Sequence, residues 1–159
     1  MTNFEGLLRA LRDAQVDFVL IGGLAVIAHG HIRATLDLDV CYARPAMNLR
    51  RLASALEPFK PRLRGAPPEL PFFWDEQTLR NGLNFTLTTS LGDIDLLGTV
   101  TGLGGYEDIE PASESIELYG HPVKLISLSD LIRTKAATGR AKDLVDLEAL
   151  RALEREVER

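Results

Sequence analysis

The segment Thr35–Ala43, TLDLDVCYA, alternates strictly in polarity. Successive side chains of an extended chain leave opposite faces, so Leu36, Leu38 and Val40 share one side and Asp37, Asp39 and Cys41 the other. The apolar side requires a core, which makes the segment a half-buried strand. Its second face then carries two carboxylates one pleat repeat apart, roughly 7 Å along the chain. Carboxylates this close repel one another and are costly to desolvate unless a cation lies between them. Any fold built on this strand therefore leaves the aspartates on its exposed or cleft side.

The surrounding sequence supplies the partners of such a strand. FEGLLRALRDAQ places Phe4, Leu7, Leu8 and Leu11 at helical spacing. VDFVLIGG is a short apolar run ending in glycine, a buried strand, and LAVIAHG provides two turns of buried helix before Gly30. AMNLRRLASALEPF reads as a helix opened by Pro45 and closed at Pro58. Five of the eight prolines fall between Pro58 and Pro71, predicting a loop or semi-extended arm. GLNFTLTTSLGDIDLLG reads as a hairpin about Leu91-Gly92, and SIELYGHPVKLIS as another about Gly120. Between them, GTVTGLGGYED holds four glycines and reads as a mobile loop. It lacks the Lys-Ser/Thr ending of a phosphate-binding P-loop. Two helices close the chain: SDLIRTKAATG, with Ser129 as N-cap and Gly139 as stop, then AKDLVDLEALRALEREVE. The expected class is α/β (α+β), a mixed β-sheet flanked by helices with a helical C-terminal end. Residues 1–159 form one domain on this reading, with a core over about 16–126 and terminal helices over about 129–157.

Composition narrows the function classes. No apolar run approaches the eighteen or so residues of a membrane span, and the N-terminal stretch is amphipathic rather than signal-like. A single cysteine, Cys41, cannot form an intramolecular disulfide and fits a reducing cytoplasm, where it serves as a small buried filler. The formal net charge of −5 argues against indiscriminate nucleic-acid binding, yet the charge is segregated. Arg44, Arg50, Arg51, Lys60, Arg62 and Arg64 face one acid, Glu57, whereas Asn81–Val123 contains no lysine or arginine. Arg133, Lys135, Arg140 and Lys142 form a second basic cluster. An acidic middle between basic segments suits a metal site served by phosphate-binding arms; solvated helix faces are the plainer account.

Oxygen-only ligation by Asp37 and Asp39 suits Mg²⁺ or Mn²⁺. GDIDLL supplies a second alternating pair; Asp93 follows Gly92 as a turn residue, which leaves Asp95 as the better ligand. A neighbouring strand could bring it to the first pair, completing a three-carboxylate site, and two metals so held could activate an attacking oxygen and stabilise a leaving pyrophosphate. Gly22-Gly23, between strand and helix, would let a triphosphate approach free backbone N–H groups. His29 and His31 have no cysteine or carboxylate at zinc spacing and are not read as ligands.

The ordered set GG, a thirteen-residue gap, DLD, and a later isolated aspartate in IDLL resembles the DNA polymerase β-type nucleotidyltransferase superfamily. The fuller run GGLAVIAHGHIRATLDLD … GDIDLLGTVTGLGGYED … LISLSDLIRTKAATGRAKDLVDLEAL resembles the small bacterial abortive-infection, AbiEii-like nucleotidyltransferases, over about residues 16–150. The resemblance implies a nucleotidyltransferase fold and an Mg²⁺- or Mn²⁺-dependent transfer of NMP from an NTP to an acceptor hydroxyl. It makes Asp37 and Asp39 holders of the metals and Asp95 the third carboxylate, which orients or deprotonates the acceptor. Gly22 and Gly23 would cradle the triphosphate; Arg33 and Lys135 would reach its phosphates, and Lys142 and Asp143 match a following KD pair. It further implies an RNA acceptor such as a tRNA 3′ end and a cognate antitoxin partner. Arg50, Arg51, Lys60, Arg62 and Arg64 would then meet the RNA backbone. Phe72, Phe73 and Trp74 would stack on a base or, as the plainer account, anchor the proline-rich loop. The GG segment is also similar to antibiotic nucleotidyltransferases, whose acceptor is a small hydroxylated molecule. A nucleotide-binding toxin–antitoxin partner without turnover is the third reading.

Overall fold

Strand order in the computed structural model, which describes residues 1–158, is set by how the carboxylate strand finds its neighbours. After helix α1 (Phe4–Asp13) come β1 (Phe18–Ile21), α2 (Gly22–His29) and the carboxylate strand β2 (Asp37–Tyr42). Helix α3 (Ala46–Leu56), a 3₁₀ turn (Glu57–Phe59), β3 (Arg62–Leu63) and α4 (Glu76–Asn81) lead to the β4–β5 hairpin (Asn84–Thr89, Gly92–Leu97). Helix α5 (Tyr106–Ile109) precedes the β6–β7 hairpin (Glu114–Leu118, His121–Leu125), and α6 (Leu128–Thr138) and α7 (Ala141–Val157) end the chain. The seven strands form one mixed sheet in the order β3-β4-β5-β2-β1-β7-β6. Strand β2 is antiparallel to β1 and parallel to β5, and β1 is parallel to β7.

The apolar side of β2 is satisfied by this arrangement. Leu38 and Val40 lie opposite Ile94 and Leu96 of β5, and all four are fully buried. Helix α1 packs on α3 and α3 on α4, while α2 contacts both α6 and α7. Helix α1 opens with Asn3, whose side chain accepts from the Gly6 N–H, and sinks Leu7, Leu8 and Leu11 into the core. Buried apolar residues form a single connected cluster reaching every layer.

Several sequence expectations are corrected. Leu36 is 75% exposed rather than on the core side: the ladder to β5 begins only at Asp37, so Leu36 lies beyond the packed face. Ser127, not Ser129, caps α6, because Ser127 is extended and its hydroxyl accepts from the Asp130 N–H, whereas Ser129 is already helical. Helix α2 begins at Gly22 itself. The proline-rich arm carries a short edge strand, β3, paired antiparallel with β4. The four-glycine segment is held as a turn by Val100 N–H to the Gly104 carbonyl (2.7 Å) and by buried Val100, and it contains the first turn of α5. Helix α4 was not expected; its signals are Asp75, whose side chain accepts from the Thr78 N–H, and Gly82 at the end. Among the described residues no helix is long and apolar enough to cross a membrane.

Candidate functional site

Parallel pairing of β2 with β5 sets Asp37 opposite Asp93 and Asp39 opposite Asp95, so the two alternating pairs share one face of the sheet. Asp37, Asp39 and Asp95 each bring a carboxylate oxygen within 4.8 Å of the other two. All three are half-buried. Asp93 lies outside the trio and accepts a hydrogen bond from the Thr88 hydroxyl (3.1 Å). Cys41, two residues further along the face, is fully buried and near Glu107 and Asp108 of α5.

Asp39 lies against the start of α2. Gly22 has φ +73, and a Cβ there would overlap the Asp39 carboxylate. Glycine is therefore required twice over, for the left-handed backbone and for the close approach. A Cβ on Gly23 would meet Thr35 Oγ1 at 2.5 Å and Arg33 Nη2 at 3.0 Å. Neither position admits a side chain, so Asp39, Thr35 and Arg33 pack directly on the backbone at the helix start.

The crowding of carboxylates is visible in their proton affinities. Burial, then the charges of Asp37 and Asp95, push the Asp39 carboxyl up to about 8, with the Gly23 amide pulling the other way. Burial also raises Asp95; Asp37 adds to it and Arg64 opposes it. Asp95 Oδ1 is buried and takes part in no hydrogen bond. Three carboxylates converging on one point are an oxygen-only donor set that fits a hard divalent cation.

The other expected residues lie around the same cleft, a cavity of about 650 Å³ bounded by Gly22, Gly23, the three aspartates and Lys135. Arg33 is part-exposed, with Nε 3.0 Å from Asp146. Lys135 is buried, 3.0 Å from Asp143 and 3.1 Å from Asp146. Burial works against ionised Asp143, but hydrogen bonds from Arg140, Lys135 and Thr138 prevail and hold its carboxyl well below the usual range. Lys142 is exposed at the cleft rim. Asp146 was not singled out from sequence; its signal was the i,i+3 spacing from Asp143, which puts both carboxylates on one helical face.

The basic arm is largely engaged within the chain. Arg44 donates to the Tyr42 hydroxyl and to the carbonyls of Leu79 and Arg80, and Arg50 pairs with Glu76. Arg64 points into the carboxylates rather than outward, with Nη2 2.8 Å from Asp95 Oδ1. The Trp74 indole donates to the Ala53 carbonyl (2.8 Å) and Phe72 packs on the core, whereas Phe73 is 72% exposed. His29 is fixed by its ring Nε2 against the Ile126 carbonyl (2.7 Å).

The same architecture recurs in solved structures. The lincosamide antibiotic adenylyltransferase LnuA, crystallised with lincomycin, superposes with a TM-score of 0.61 at 16% identity, over 96% of this chain and 98% of that one. A candidate nucleotidyltransferase of Thermotoga maritima gives 0.56 at 17% identity, over 98% and 96%. The antibiotic-resistance factor ANT(2'')-Ia gives 0.51 at 15% identity, over 97% and 92%. The chain therefore has the nucleotidyltransferase fold. No protein-family description matches its sequence, and no curated protein does.

Proposed function

We propose that this protein is a divalent-metal-dependent nucleotidyltransferase, moving an NMP from an NTP to an acceptor hydroxyl with release of pyrophosphate. One observation carries the reading: three carboxylates converge beside a helix start stripped of side chains, in one cleft of a nucleotidyltransferase fold. Asp37 and Asp39 would hold the metal, with Asp95 as third carboxylate. Bound divalent ions supply positive charge to the attacking oxygen and the departing pyrophosphate. Asp95, on the strand beside Asp37 and Asp39, would orient the acceptor hydroxyl or take its proton. Gly22 and Gly23, at the start of α2 on the cleft wall, would take the triphosphate. Arg33 and Lys135 line the same cleft, Arg33 paired with Asp146 and Lys135 with Asp143 and Asp146, and would turn to the phosphates.

The acceptor we favour is a small hydroxylated molecule. The cleft's about 650 Å³ lies in the size range of small-ligand sites, roughly 300–1,000 Å³. Arg50 and Arg64 are paired within the chain, which removes two of the five expected RNA-contacting residues. Among the similar structures, one holds lincomycin and another holds adenylyl-2''-tobramycin. The AbiEii-like sequence resemblance supports the alternative, transfer to a tRNA 3′ end by a toxin with a cognate antitoxin. Incubation with each α-labelled NTP and Mg²⁺, against lincosamides, aminoglycosides and total RNA in parallel, separates them. Label on a small molecule supports our reading, and label on RNA alone favours the alternative. Absence of pyrophosphate release with every NTP and acceptor refutes both.

A further inference from the structure

We infer that Arg64 is a built-in counter-ion of the carboxylate site, occupying it in competition with the divalent cation and leaving Asp95 when the metal binds. The inference rests on the metal reading of the three aspartates. Arg64 follows edge strand β3, and its N–H donates to the Thr86 carbonyl (2.9 Å), which fixes its backbone to β4. From there the side chain crosses the sheet surface over β4 and β5. Nη2 donates to the Leu87 carbonyl (2.7 Å) and lies 2.8 Å from Asp95 Oδ1. Nε lies 3.4 Å from Asp93, and Nη1 lies 4.0 Å from Asp37.

Two features distinguish this from a permanent salt bridge. First, the pairing is poorly satisfied: Arg64 Nε and Asp95 Oδ1 are buried, close to opposite charge, and yet form no hydrogen bond. A guanidinium built for a carboxylate makes two parallel N–H···O bonds, and this one makes none to Asp95 or Asp37. Second, the oxygen it touches, Asp95 Oδ1, belongs to the trio that converges within 4.8 Å. A divalent ion and a guanidinium cannot both take that oxygen without bringing like charges together at short range, which is unfavourable in a partly buried site. Asp93, outside the trio, gives Arg64 a carboxylate to keep once Asp95 is surrendered. The β3 edge anchors only the backbone, so the side chain can pivot without disturbing the sheet.

The test measures metal binding without nucleotide and without turnover. Mn²⁺ affinity by calorimetry should be tighter in Arg64→Leu than in the unmodified protein by at least about tenfold, because the competing charge is gone. Arg64→Lys keeps the charge and should stay near the original affinity. The unmodified protein supplies a measurement independent of how either variant folds: the Arg64 Nε–Hε resonance, visible in chelator because it is buried, should shift on Mg²⁺ addition. Equal or weaker Mn²⁺ binding by Arg64→Leu, or an unmoved resonance at saturating Mg²⁺, overturns the role of Arg64 while leaving the metal site standing. Absence of Mn²⁺ binding by every form overturns both this inference and the metal reading beneath it.

Discussion

Replacing Asp39 with asparagine separates the electrostatic account of the site from a structural one. The native carboxyl titrates at about 8 against 3.8 in an ordinary environment. The folded state therefore binds this proton more tightly than the unfolded chain. Its contribution to stability is complete below about pH 4 and is lost as pH rises toward about 8. One pKa unit corresponds to about 1.4 kcal/mol. Because the cluster relaxes when charged, we take the retained penalty at pH 8 as roughly 1–3 kcal/mol, less than the full shift implies. Asparagine mimics the protonated acid, facing the Gly23 amide with its oxygen and the neighbouring carboxylates with its NH₂. In chelator at pH 8, Asp39→Asn should melt several degrees higher than the unmodified protein, at about 2–4 °C per kcal/mol. The gap should shrink toward zero at pH 4. Transfer should fall by more than about 100-fold, since even a residue that only supports a metal ligand can cost that much. Scanning calorimetry across pH and labelled-NTP transfer on one preparation test both halves. A variant that melts earlier than the unmodified protein and still transfers label would refute the reasoning.

Further outcomes follow from the geometry. Gly22→Ala meets both φ +73 and the Asp39 carboxylate, so it should lower Tm and weaken NTP binding. Gly65→Ala, at φ +79 with open space around it, isolates the backbone cost, about 1–2 kcal/mol, and should leave NTP binding unchanged. Asp143→Asn leaves buried Lys135 paired with Asp146 alone and should destabilise by less than the about 3–5 kcal/mol of a fully broken buried pair, read at neutral pH in denaturant titration. Because the Asp143 carboxyl is held low, its stabilisation is present above the ordinary 3.8 and is lost on acidification below it, so the variant's deficit should narrow in acid. Cys41 is fully buried and its thiol is pushed up to about 12, by burial first and then by Glu107 and Asp108. It should resist thiol reagents at pH 8 until urea unfolds the chain.

Local chemistry was enough for much of this molecule. Period-two alternation marked β2 and β5, helical spacing marked α1, flanking prolines marked α3, and a glycine pair marked the turn from β1 into α2. These signals are local because they arise from the pleat, the helix repeat and the φ freedom of one residue. The same reasoning put Asp37, Asp39 and Asp95 on strand faces able to converge. Whether they did depended on β5 lying parallel beside β2 in register, an outcome of long-range pairing that no short window encodes. Helix α4 was missed because its six residues give too few turns for periodicity to register. The charged side chains were least legible. Arg64 reads like any basic arm residue until β3 adds to the sheet edge and swings it over the carboxylates. Lys135 reads as a phosphate-reaching lysine and Asp143 as half of a KD pair, with Asp146 unmarked, until α6 and α7 close on one another and pair the three. A charge in a sequence carries its sign but not its partner, and pairing across elements is decided only when the tertiary structure fixes distance and burial.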